Sequence, residues 1–122
     1  MHDVEPLVEA VESLADRFRS LPQSRLLGAV PGHASRAAAA LELARRLAGT
    51  ALAAEGGPWR ELPDAGAFAV GDQLAVAGHD LAAALAALPG GAEVALPDGP
   101  VAVAEVLARA VAAVRETAAL CG

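Results

Sequence analysis

Asp72, Gln73, His79 and Asp80 stand within twelve residues, VGDQLAVAGHDL (70–81), that are otherwise apolar or small. A histidine among carboxylates is equipment for general acid–base catalysis or for binding a metal ion. Spacing decides how much of that chemistry is open. On a helix Asp72 and His79, seven residues apart, are nearly eclipsed, and Gln73 and Asp80 form a second such pair along the flank. His79 and Asp80, as helical neighbours, diverge by about 100° and do not share one ligand.

His33, near the start of the second helix, lies on the side of the core alanines. It is read as closing the end of the bundle by hydrogen bonding, with metal ligation as the alternative. His33, His79 and Asp80 are thus the candidate metal ligands. A metal centre inside a helical bundle needs ligands projecting inward from several helices, and this pattern does not supply them. No metal or other cofactor is expected, and no residue is assigned a catalytic role. His2 belongs to a fraying terminus. Cys121 is the only cysteine, which rules out an intrachain disulfide, and it has no cationic sequence neighbour to favour a thiolate. Trp59, the only tryptophan, follows Pro58 in a loop and is expected to cap the end of the core, or else to anchor a partner. Arg25, after LPQS, is a single cation with no helper. GxGxxG, P-loop, HExxH and GxSxG motifs are absent.

Four helices must position these groups. In the first, Val4, Leu7, Val8, Val11, Leu14, Ala15 and Phe18 recur at three- and four-residue steps; Asp3 can cap it and Pro22 stops it. QSRLLGAVPG (23–32) is irregular, with room for one helical turn. A second helix runs from about Gly32 to Glu55 and ends at Gly56-Gly57, burying Ala37, Ala40, Leu41, Ala44, Leu47, Ala48 and Ala51. Glu42 can pair with Arg46 one turn on. So alanine-rich a core brings helix axes close together and is expected to leave little volume for a ligand. GGPWRELPDAGA (56–67) reads as a connection. The third helix begins between Val70 and Asp72, ends before Pro89, and turns Val70, Leu74, Ala77, Leu81, Leu85 and Leu88 to the core. The fourth, with Pro100 as its first residue, buries Val103, Leu107, Ala110, Val111, Val114 and Ala118, with Glu105 and Arg109 paired outside. Residues 92–103, around Pro97-Asp98-Gly99, are either coil or a small β-hairpin; the hairpin ranks second because an isolated one is marginal in water. LPD recurs at 62–64 and 96–98, as turn chemistry rather than as a duplication. The expected fold is all-α: one domain, residues 1–122, folded as an antiparallel up-and-down four-helix bundle.

Composition narrows the function classes. The 122 residues carry a net charge of −6, against the cationic face that nucleic acid requires. Lys, Ile, Asn and Tyr are missing, all nine basic residues are Arg, and about a quarter of the chain is Ala, the imprint of a high-GC bacterial genome. The acidic start, MHDVEPLVEAVE, does not read as a signal peptide, and the strongly apolar LAAALAALPGGA is cut by Pro89. A cytoplasmic protein without membrane segments is expected.

LPQSRL and VGDQLAVAGHDLAAAL resemble stretches of uncharacterised small helical proteins of high-GC Gram-positive bacteria, over about half the chain. That resemblance implies a cytoplasmic location and no particular activity. AGHDLAAAL also resembles an element of the DinB-like four-helix metal proteins, which implies a metal-binding protein or enzyme using His33 and His79; here the histidine spacing departs from that family's and a third histidine is not in place. The residues themselves favour a different function. Val76, Ala83, Ala86 and Ala87 accompany Asp72 and His79 on the back of the third helix, which is therefore apolar around most of its circumference. Such a helix is covered on both sides, by the chain's own irregular segments or by another chain. The expectation is a non-catalytic interaction protein, a homodimer or partner-bound through Asp72, Val76, His79 and Ala83, with Trp59 as a further anchor.

Overall fold

The computed structural model describes residues 2–122, as a mostly helical chain with one small antiparallel sheet. Its elements are α1 (Glu5–Ser20), the single turn α2 (Gln23–Leu26), α3 (Arg36–Glu55), α4 (Val70–Ala86, preceded by a 3-10 turn at Ala67–Ala69), β1 (Glu93–Leu96), β2 (Gly99–Ala102) and α5 (Val103–Cys121). Among the described residues, no helix is long and apolar enough to cross a membrane.

Local chemistry sets the ends. Ser35 caps α3, its hydroxyl accepting a hydrogen bond from the Ala38 amide (3.0 Å), so the helix starts at Arg36 rather than near Gly32. Gly56 closes α3 in the left-handed conformation (φ 71°). Pro100 does not open the last helix: it sits in β2 opposite Ala95, and α5 begins at Val103. The hairpin forms because it is not isolated. Val94 is buried against the helices, and β2 runs straight into α5, with the Val103 amide donating to the Ala92 carbonyl. The two LPD turns differ in build: Asp64 accepts from the Gly66 amide in an Asx turn, whereas Asp98 lies in the loop of the hairpin.

The four long helices share one core, with Leu7, Leu14, Leu47, Leu74, Leu81 and Leu85 almost fully buried. Their order is not up-and-down. α4 packs on both α1 and α3, and α5 packs on both α1 and α3, whereas the consecutive pairs α1/α3 and α4/α5 barely touch. The Glu12–His79 contact and the Arg19–Asp72 ion pair show α1 and α4 to be antiparallel. Arg17 reaches the Ala118 carbonyl while Leu7 lies beside Leu107, so α5 runs parallel to α1. Arg36 at the start of α3 bonds the Cys121 carbonyl at the end of α5, so α3 opposes α5 and runs parallel to α4.

Two parallel neighbours need a long return, and residues 57–66 provide it. A helix of 20 residues is about 30 Å long, a span that ten extended residues cover. The segment runs back along α3 and is strapped from both sides: Arg45 donates to the Leu62 carbonyl (2.8 Å) and Gln73 to the Pro63 carbonyl (2.8 Å). Arg17 and Arg36 hold the carbonyls at the negative end of the α5 dipole, at Ala118 and Cys121.

Glycines set the α1–α4 distance. A Cβ on Gly78 would overlap the Val11 side chain, lying 2.9 Å even from the Val11 Cβ, and one on Gly71 would come within 3.1 Å of the Ala15 carbonyl oxygen. Both glycines are buried in the seam, seven residues apart. Gly78→Ala is therefore expected to destabilise the protein by about 1–3 kcal/mol, although alanine is the better helix former by about 1 kcal/mol. Adding Val11→Ala should recover part of that loss, measured as a favourable coupling in a urea-denaturation double-mutant cycle.

Candidate functional site

The polar residues of α4 are spread over different neighbours. Asp72 accepts from Arg19 Nε at 2.8 Å, and Arg19 also holds Asp16 at 3.0 Å. These two carboxylates, Asp72 foremost, raise the pKa of the guanidinium. Gln73 straps the return segment. His79 Nε2 lies 3.3 Å from Glu12 Oε1. Asp80 is exposed and makes no ion pair among the described residues. Asp72 and His79 therefore line the α1–α4 seam as a pair of cross-links one heptad apart, with acid and base exchanged between the helices. A slip by one heptad would set Arg19 against His79, or Glu12 against Asp72, so the pattern favours this register.

His33 is tied elsewhere, its Nδ1 lying 3.2 Å from Glu42 Oε2. Glu42 thereby turns away from Arg46, contrary to the helical pairing that the spacing suggests. The proposed metal set does not assemble: His33 and His79 face different carboxylates on different helices, and among the described residues no three His, Cys, Asp or Glu side chains come together.

The outer face of α4 is bare in the single chain. Val76 is 60% exposed, and Asp72, His79, Ala83, Ala86 and Ala87 are exposed with it; Phe68, in the turn just before α4, is 73% exposed. The irregular segments do not fold over this face. The core face agrees with the helical periodicity, with Val70, Leu74, Ala77, Leu81 and Leu85 buried and Leu88 half-buried.

Trp59 does not cap the core. It is 72% exposed, and the edge of its indole rests on α3 at Gly49, where Nε1 lies 3.5 Å from the place a Cβ would take. Beside it opens a groove of about 780 Å³, between the last turns of α3, the hairpin tip and the start of α5. Close helix packing was expected to leave no such space. The hairpin forms one wall of it, with β1 packed against both α3 and α5. Nothing in the helical periodicity signals the groove; Gly49 within a helix and Trp59 ten residues on are its only traces in the sequence.

Cys121 is buried at the far end of α5. Burial pushes its thiol pKa up, against the opposing fields of Arg36 and Arg17. A protonated buried thiol is a packing group, consistent with the absence of an activating neighbour in the sequence.

Comparison with protein-family models, with curated proteins and with solved structures finds no match.

With no Lys or Tyr in the chain, Cys121 is the one side chain that titrates between about pH 8 and pH 12. Its folded pKa lies above the ordinary thiol value of 9.0. The stability it contributes is complete below that ordinary value and is lost as pH rises through the folded value. Urea midpoints are expected to fall as the pH rises above about 9, and Cys121→Ala should flatten that decline.

Proposed function

We propose that this chain is a non-catalytic interaction protein, a four-helix bundle of up–down–down–up order that pairs with a second copy of itself across the outer face of α4. The bare stripe Phe68–Asp72–Val76–His79–Ala83 carries this reading, because it complements itself when read backwards. In an antiparallel, two-fold pairing centred between Ala75 and Val76, Phe68 stands opposite the alanine at 83 and Asp72 opposite the histidine at 79. Val76 meets the centre of its own copy. A large aromatic group thus faces a small residue, an acid faces a base, and the alanines let the helices approach closely. Isologous interfaces have this reciprocity by construction. Asp72 and His79 remain anchored to α1, which presents them in fixed positions and reduces the side-chain entropy lost on association.

Native mass spectrometry and light scattering over a micromolar-to-millimolar range test the reading. The expected result is a mass that rises from monomer to dimer with concentration. Val76→Glu should hold the protein as a monomer, while Ala108→Glu, at an exposed site on α5, should leave the dimer intact. A monomer throughout that range contradicts the proposal.

A further inference from the structure

We propose that the groove beneath Trp59 is a binding site for a small aromatic carboxylic acid, with the ring against the indole and the carboxylate at Arg46. The inference is independent of self-association, since α4 lines no part of the groove. Its lining is largely apolar: Leu47 and Val106, both nearly fully buried, reach it from α3 and α5, with Leu52, Leu96 and Pro97 beside them. Trp59 stands as an exposed aromatic wall. Its volume falls within the range of roughly 300–1,000 Å³ that small-molecule sites occupy.

The polar groups define the other end of the ligand. Arg46, Gly49, Thr50 and Ala53 follow one another at three- and four-residue steps along one stripe of α3, and all of them line the groove. The helical partner that spacing offers to Arg46 is Glu42, which His33 takes instead. Arg46 is left without a carboxylate among the described residues, and the Trp59 indole N–H, resting on the same stripe, has no acceptor there either. Thr50 is not free, because its hydroxyl donates to the Arg46 carbonyl at 2.9 Å. Arg109, across the groove, is occupied at long range by Asp98 (3.8 Å) and Glu105 (3.9 Å). One side of the groove therefore presents two unmatched N–H donors, one of them cationic, at the edge of an apolar lining. An anionic acceptor on a flat apolar body complements that arrangement; a cation would meet Arg46 with like charge, and an aliphatic neutral molecule would leave both donors unmatched.

Because Trp59 is the only tryptophan, its fluorescence reports on this site alone. Titration with 3-phenylpropionate is expected to change that fluorescence saturably, and 3-phenylpropan-1-ol, the same body without the charge, should bind about tenfold more weakly. Arg46→Gln, on the surface of a long helix and checked for unchanged helix content by circular dichroism, should erase the difference between acid and alcohol. Trp59→Leu, followed by calorimetry, should weaken both. No saturable response to 3-phenylpropionate, equal affinity for acid and alcohol in the native protein, or discrimination that survives Arg46→Gln would each overturn the proposal.

Discussion

The structure depends on one close contact, the Val11 side chain seated in the space that Gly78 leaves on α4. Two helices meeting through a side chain and a bare backbone approach more closely than two meeting through leucines. That approach brings Glu12 within reach of His79 and Arg19 within reach of Asp72. It also allows α4 to pack on α3 along its other flank, so that one helix organises the core while keeping its outer face free. Exposed ion pairs of this kind contribute little stability. Their value lies in the register, since the exchanged acid and base fit one alignment of α1 and α4 better than its neighbours.

Much of the fold is legible in the sequence where one periodicity determines the outcome. The buried line of α1, from Leu7 to Phe18, and that of α4, from Val70 to Leu85, follow from three- and four-residue steps. The line of α5 is legible only in part, because Val106, Ala113 and Cys121 are buried, whereas Leu107, Val111 and Ala118, expected in the core, are half-buried. In a helix rich in Ala and Val, several stripes are almost equally apolar, and hydrophobicity alone does not choose among them. Direction is the larger omission. Periodicity says nothing of which way a helix runs, and the up-and-down order follows from reading the connections, residues 56–67 among them, as short. Their length was the available signal, since antiparallel helices are joined by roughly 2–8 residues.

The candidate surfaces were legible unequally. The apolar back of α4 can be seen on a helical wheel, and it is exposed in the single chain. The groove was not visible, because a hairpin packed on α3 and α5 walls one side of it, and long-range packing of that kind has no signature in the spacing of residues. Its electrostatics were hidden for a related reason. Helical spacing offers Glu42 to Arg45 and Arg46, whereas in the folded chain it lies 3.2 Å from His33 Nδ1, on a loop whose place that spacing does not give. A chain with nine arginines and fifteen acids, of net charge −6, still presents Arg46, without a carboxylate partner among the described residues, at the groove beside the indole.

Solution NMR of the methyl-labelled protein tests the α1–α4 seam most directly. The account predicts strong nuclear Overhauser contacts from both Val11 γ-methyls to the Gly78 α-protons, at intensities that only a side chain lying on bare backbone produces. Val11 methyls that contact other side chains but not Gly78 would contradict it.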